Sequence, residues 1–444
     1  MRQKLVTCLV IFIASFAVRF IVWENNRVEM AGVQSVVTEN YLRDAKALAS
    51  GDIRAFLSGD DPPTNARVID HPPGYPLMIG VVLAVSNDIE LWRIVQLALN
   101  SLAPVLLFLI AAALIDKKIG FIAGVLAAIS PQFAYHSGLL LPDELSVVPM
   151  LAAVYFFLTA MREPRLANAA LCGLFLGLSC WLRSNAMLLP IFCAVAASLV
   201  IIQGMRLRFA VVMLVLFVVT IAPITIRNAI VFGSFIPLSL GGGTTLVEGL
   251  GDIDDGSRGL PRTDEDVMRL DATLDGSGRA YSGLYDPDGV ERDRQRTKFG
   301  ISEIASEPLW FARGVAARGL STFRLERVPA IAAERDERDT TNPLLYWIDR
   351  PLKFVQRAFV TVVFLPLVLL GLVVIAVRKG WREVVVILAV PLYYATVQPL
   401  VHTEYRYVLA TPHMLMIAAA AALCWLFGKV AAVVGRERQS SPGT

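Results

Sequence analysis

Charge is scarce in this sequence. Only 18% of its 444 residues are Asp, Glu, Lys or Arg, against about a quarter in an average soluble domain. The 41 basic and 38 acidic residues leave a net charge of +3, too small to mark a nucleic-acid-binding surface, so no nucleic-acid partner is expected. Cysteine is also sparse. Cys8, Cys172, Cys180, Cys193 and Cys424 all lie in apolar runs, with no CxxC and no Cys/His cluster. That pattern argues against a disulfide framework and a structural zinc site. Gly241-Gly242-Gly243 lacks the lysine and the strand-to-helix setting of a phosphate-cradling loop. There is no internal repeat of the kind that marks solenoids and many transporters.

Apolar residues are plentiful, at 55% of the chain and a mean hydropathy of +0.58. They fall into runs near 5–23, 94–115, 119–136, 144–161, 167–182, 186–203, 208–225, 358–377, 383–399 and 408–427. Most are long enough to cross about 30 Å of hydrocarbon as a helix, and several are marginal. Met1–Lys4 followed by Leu5–Trp23 has the charged start of a signal peptide. The run is too long and no A-x-A site follows, so an uncleaved first span is expected. The stretch 76–86 is too short to cross and reads as re-entrant. With the N-terminus inside, the inner segments carry 14 basic and 4 acidic residues, as the positive-inside rule demands. Of the 38 acidic residues, 8 fall in 24–75 and 21 in 228–357, which become two large outer loops.

The expected fold is therefore an all-α integral membrane protein, a bundle of about 10–11 transmembrane helices with two large outer loops. Its parts are an N-terminal membrane module over 1–227 that includes the loop 24–75, an outer loop over 228–357, and C-terminal spans with a short inner tail over 358–444. In the first loop, Val33, Val36, Val37, Tyr41, Ala45, Leu48 and Ala49 recur at three- and four-residue steps, which predicts an amphipathic surface helix. Residues 50–75 read as turns. The 250–297 part of the second loop reads as irregular and solvated, and Glu303–Arg324 as helical.

Five polar clusters then fall on the outer side: Glu39 with Tyr41 and Asp44; Asp70-His71-Pro72-Pro73-Gly74-Tyr75; Pro142-Asp143-Glu144; Arg183-Ser184-Asn185; and His402-Thr403-Glu404-Tyr405-Arg406-Tyr407. Polar groups beside hydrocarbon are costly unless they face a cavity or a partner, so each is a functional candidate. Each also has a plainer reading. Asp143-Glu144 could cap a helix and complement its dipole, Arg183 could snorkel, and His402-Thr403-Glu404 could be a solvated turn. Carboxylates, arginines and histidines gathered on one membrane face suit a charged, lipid-linked substrate.

These residues, in order, resemble the GT-C superfamily of polyprenyl-phosphate-sugar-dependent glycosyltransferases. Within it the chain is similar to bacterial proteins related to protein O-mannosyltransferases and aminoarabinose transferases. The resemblance runs through Tyr41-x-x-x-Ala45-x-x-Leu48-x-x-Gly51, His71-Pro72-Pro73-Gly74-Tyr75-Pro76, Ser130-Pro131 and Ser137–Glu144. It continues with Gly173–Arg183, Ile226-Arg227-Asn228 with Phe232-Gly233, and His402-x-Glu404-x-Arg406-Tyr407. It implies inverting transfer of a sugar from a polyprenyl-phosphate donor to a glycan, lipid or protein acceptor, on the outer face of a bacterial cytoplasmic membrane. Glu39 or Asp143 would be the base, with Glu144 beside it. Arg183 and Arg406 would bind phosphate, with Arg227 a further phosphate candidate. Tyr41, His71, Tyr75, His402 and Glu404 would line the substrate site, where His71, Glu404 and His402 would orient the sugar or hold an optional divalent cation. No dedicated metal site is assigned. One departure stands out. The family's usual acidic residue, four positions before the tyrosine, is Val37 here, and Glu39 is rotated from it by roughly 200° on a helix. Either the helix starts later, so that Glu39 reaches the site from irregular backbone, or another carboxylate such as Glu24 or Asp143 serves. A transporter or lipid flippase, and a non-catalytic assembly partner, are the competing readings.

Overall fold

The structure, a computed structural model, describes residues 2–58, 69–276, 278–325 and 343–440. The turn expected at Asp60-Asp61-Pro62-Pro63 and the last residues of the tail lie outside them. Among the described residues the regular elements are helical throughout. This is what a bilayer imposes, because a helix satisfies its own backbone hydrogen bonds without water.

Seven helices are long and apolar enough to span: Arg2–Asn25, Ile89–Leu114, Asp143–Arg162, Gln203–Phe232, Thr361–Arg378, Trp381–Leu400 and Ala410–Ala432. Lys117–Ile129 and Pro131–Gly138, bent by 51°, make an eighth if taken as one span. The two remaining predicted spans are the shorter apolar helices Leu166–Leu182 and Ser184–Val200. At 1.5 Å per residue each reaches only about 25 Å, so each must tilt less or thin the bilayer. Gly74–Ser86 is a helix of 13 residues, about 20 Å long, in keeping with a segment that does not cross. Large apolar side chains such as Val362, Val377 and Leu207 are left exposed on the bundle, as a lipid-facing surface requires.

Close packing depends on small residues. A Cβ on Gly173 would lie 2.1 Å from the Met213 carbonyl, and one on Gly177 2.5 Å from Thr220, so the 166–182 helix can approach Arg206–Phe232 only with glycine there. Gly74 is pressed against the Trp181 carbonyl, 2.4 Å from its would-be Cβ, which docks the short helix onto the end of 166–182.

The second outer loop is more ordered than its composition suggested. It carries Gly242–Ile253, Asp264–Leu274, Gly289–Ser306 and Pro308–Ser321, so the expectation of an irregular 250–297 segment holds only for the stretches between these helices. Its charges are spent internally. Arg296 clasps the buried Asp271, and the Asp293 carboxylate accepts from the Gly243 and Thr244 amides, 3.1 Å each, at the start of the 242–253 helix.

A charged cluster also lies within the spans. Arg19 donates through Nε to Ser137 Oγ at 3.0 Å and lies 3.4 Å from Glu144 Oε1. His413 Nε2 stands 3.2 Å from the same oxygen, and its ring stacks on Phe133. Arg19, Glu144 and His413 are all fully buried. The Leu409 carbonyl, 2.9 Å from His413 Nδ1, can only accept, so Nδ1 carries a hydrogen. The cluster pins the first and last membrane helices to the start of Asp143–Arg162. Removing its anion leaves the buried Arg19 guanidinium without its counter-charge. Glu144→Ala is expected to lose about 3–5 kcal/mol, read as a marked fall in Tm of the purified protein, with Glu144→Gln intermediate. An unchanged Tm for Glu144→Ala would contradict this placement.

Candidate active site

An antiparallel hairpin builds the core of the site. Asp143–Arg162 and Leu166–Leu182 are joined by three residues, so the start of the first helix and the end of the second meet at one end of the bundle. Asp143 stands in the first turn behind Pro142, which offers no side-chain cap; the carboxylate instead benefits from the helix's positive end. Arg183 follows the last turn of the second helix, at the negative end of its dipole. The two meet with Arg183 Nη2 3.1 Å from Asp143 Oδ1, Asp143 being buried and Arg183 13% exposed. Glu144, one residue on, is turned by about 100° and points into the cluster with Arg19 and His413.

The 402–407 segment supplies the other side. Arg183 lies over the Tyr407 ring at 4.5 Å, and Arg406 reaches the same ring at 5.0 Å. Arg406 faces Glu404 with two nitrogens, each 2.8 Å from a carboxylate oxygen. His402 Nδ1 lies 2.7 Å from Asp252 Oδ2, and the His402 amide donates to the Thr245 carbonyl at 2.7 Å. The 242–253 helix of the outer loop therefore docks directly on this segment. Gly249 makes that possible, since a Cβ there would sit 2.5 Å from the His402 nitrogen.

A cavity of about 920 Å³ opens between these parts. Arg183, Arg406 and Tyr407 form one wall with His71 and Asp70. Glu39, Asn40 and Arg43 of the helix Ser35–Ala49 form a second, and Glu248, Asp264 and His402 a third. The walls differ in charge. Bonding to Asp252, with Glu404 next, holds His402 protonated up to about 10, although burial works against it. Burial alone would raise the Glu404 carboxyl, but His402 and Arg406 outweigh it and bring it down to about 2. Burial pushes Glu248 up to about 8, with His402 opposing and Asp264 adding to the rise.

Of the residues singled out in the sequence, Glu39, His71, Arg183, His402, Glu404 and Arg406 line the cavity together. The rest are placed otherwise. Asp143 lies off the wall and holds Arg183. Glu144 faces the bundle interior. Tyr41 is buried, stacked between His71 and Tyr75 at 5.1 and 5.0 Å, and lines a small adjoining hollow with Asp44 and Asp70. Tyr75 is wholly buried, its hydroxyl donating to Gln96 at 2.6 Å. Arg227 donates to the Leu57 carbonyl at 3.1 Å, outside the cavity. The helix does not start late, for it begins at Ser35 and includes Glu39, which is exposed on its cavity side. Sequence reasoning did not assign Asp70, Glu248, Asp252 or Asp264 a place at the site. Asp70 was visible beside the His-Pro-Pro motif, whereas the loop acids carried no signal. Among the described residues no three His, Cys, Asp or Glu side chains are grouped to hold a metal; His402 is engaged with Asp252, and Glu404 with Arg406.

Comparison with known proteins points the same way. The family described as dolichyl-phosphate-mannose-protein mannosyltransferase matches residues 70–229, a stretch that holds His71, Asp143 and Arg183. No curated protein matches the sequence. The oligosaccharyltransferase AglB from Archaeoglobus fulgidus, solved with an inhibitory peptide and a dolichol-phosphate, is 13% identical with a TM-score of 0.50, covering 100% of this chain and 52% of that one. The apo form of the A. fulgidus oligosaccharyltransferase gives 13% identity and 0.51, with 99% and 52% covered. This chain thus spans about half their length. ArnT from Cupriavidus metallidurans, solved with undecaprenyl phosphate, covers 94% of this chain and 77% of its own at 16% identity; its TM-score of 0.38 is too slight to argue from. The expected multi-span helical bundle is borne out at the level of fold.

The raised pKa of His402 sets a pH dependence. Its ion pairs contribute stability in full below the ordinary histidine value of about 6.5 and lose it as pH rises through about 10. The Tm difference between the wild type and His402→Gln should shrink on titration from neutral pH past that value. A difference that instead grows toward high pH would contradict the assigned partners.

Proposed function

We propose that the chain is a membrane glycosyltransferase that moves one sugar, with inversion, from a polyprenyl-phosphate carrier to an acceptor hydroxyl. The observation that carries this reading is the pairing of Arg183 and Arg406 across Tyr407 at the wall of a large cavity, at the end of the hairpin away from its turn. In the reaction, the acceptor oxygen attacks the anomeric carbon, the carbon–oxygen bond to the phosphate breaks, and the electron pair leaves with the lipid phosphate. The guanidiniums offset the charge that grows there, and such preorganised charge supplies several kcal/mol. Arginine suits the task because its planar fork can hold two phosphate oxygens. Arg183 is held by Asp143 and Tyr407 at the cavity wall.

The acceptor's proton must pass to a carboxylate within reach. Glu39 and Asp70 are the candidates: both line the cavity, and among the described residues neither is paired with an arginine. Asp143 acts instead by positioning Arg183. The carrier is a polyprenyl phosphate by the chemistry of the arginine wall and the apolar bundle beneath it. The acceptor would enter between the Ser35–Ala49 helix and the outer loop, whose Glu248–Asp264 pair offers hydrogen bonds to hydroxyls. The excess of basic residues at the other membrane end supports an inner membrane location with the cavity outside, facing the periplasm.

The test separates binding from chemistry. Arg183→Ala and Arg406→Ala should each weaken undecaprenyl phosphate binding to the purified protein at least about tenfold, the scale of a lost charged hydrogen bond. Glu39→Gln or Asp70→Asn should bind it normally and lose transfer in cells. Wild-type binding by both arginine variants would place the donor phosphate elsewhere. Full transfer by both carboxylate variants would remove Glu39 and Asp70 as the base.

A further inference from the structure

A second hollow, of about 450 Å³, lies at the opposite end of the bundle from the cavity. It is bounded by the first helix, Leu102–Leu114, Lys117–Ile129 and the last residue of Asp143–Arg162. Four cations surround it, Lys4, Lys117, Lys118 and Arg162, while Phe108 and Phe121 form part of an apolar floor. No carboxylate lines it. The nearest acids in sequence are engaged elsewhere: Asp116 caps the Ile119 amide at 2.9 Å, and Glu163 pairs with Arg165 at 3.2 Å. Among the described residues, none of the four cations is in an ion pair.

The positive-inside rule explains why basic residues lie at this membrane end. It does not explain why four of them, from three stretches far apart in sequence, converge unpaired around one concave space with an aromatic floor. Like charges so gathered repel, and an anion between them relieves the repulsion. The floor selects an anion that carries an apolar body, and the volume falls within the range of ligand sites. Lysine, a mobile point charge with three donors, suits a phosphate that need not be held in one fixed geometry.

We propose that this hollow is a binding site for an anionic membrane phospholipid, with the headgroup phosphate among Lys4, Lys117, Lys118 and Arg162 and the chain start against Phe108 and Phe121. Basic pockets between spans on this side of a membrane have the chemistry for it. The site is separate from the carrier phosphate discussed above, because Arg162 and Asp143 are opposite ends of a 20-residue helix, about 30 Å apart.

The test uses the full chain, purified in detergent, exchanged with phosphatidylglycerol or phosphatidylcholine and read by native mass spectrometry. Phosphatidylglycerol should be retained about tenfold more than phosphatidylcholine. The Lys117→Gln/Lys118→Gln variant should bring retention of phosphatidylglycerol down to that of phosphatidylcholine, since each cation contributes a factor of about five and the two together about 25. The charge-preserving Lys117→Arg/Lys118→Arg variant should keep it, which guards against a loss of fold. Equal retention of the two lipids, or of phosphatidylglycerol by wild type and the glutamine variant, overturns the proposal. So does displacement of the lipid by inorganic phosphate alone, which would make the site one for free phosphate.

Discussion

The contact between Asp143 and Arg183 organises the working end of this molecule. Two opposite charges stand at the facing ends of one helical hairpin, the carboxylate buried and the guanidinium nearly so. Breaking such a pair leaves an uncompensated buried charge, so neither side chain is free to wander. Arg183 is thereby held over Tyr407, and Tyr407 in turn shares Arg406 and Glu404. From Glu404 the links run through His402 to Asp252 and into the outer loop. A span hairpin, a loop between spans and a helix outside the membrane are thus joined by one line of charges.

That line also explains how a chain so poor in charge can assemble a polar cavity. Most of its acidic residues sit in the two outer loops, where water would solvate them. The outer loop bends its share back toward the bundle, burying Asp271 and Asp293 in its own core and presenting Glu248 and Asp264 to the cavity. The result is a space with Arg183 and Arg406 on one side and the carboxyl groups of Glu248 and Asp264 at the loop side. Such an arrangement can hold a phosphate at one end and a hydroxyl-rich group at the other. At the far end of the same helices, basic residues that form no ion pair among the described residues surround the second hollow.

Much of this was legible in the sequence, for physical reasons. Apolar runs set by the thickness of the bilayer located the long helices, and the short run at 76–86 falls in a short helix of 13 residues. His71, Arg183, Glu404 and Arg406 were legible because polar residues beside hydrocarbon need a reason to be there. What was not legible turned on angle and on distant contact. Asp143 and Glu144 are adjacent, yet one helical step sends one to Arg183 and the other to Arg19 and His413, whose partners come from the first and last helices. Tyr75 belongs to a motif but serves packing against Trp92 and Gln96. The phase of Glu39 could not be judged without knowing that its helix begins at Ser35. Nothing local in Glu248 or Asp252 announces that the helix bearing them docks on His402; only the close approach at Gly249 reveals it.

The most direct measurement compares the polyprenyl-phosphate-linked sugars and outer-face glycans, lipids and proteins of membranes with and without this chain, by mass analysis. The account predicts two coupled changes on its loss: one sugar disappears from an outer product, and the lipid-linked form of that sugar accumulates. Restoring the wild-type chain reverses both, while Arg183→Ala does not. An outer product and a donor pool unchanged by removal of the chain would contradict sugar transfer by this cavity.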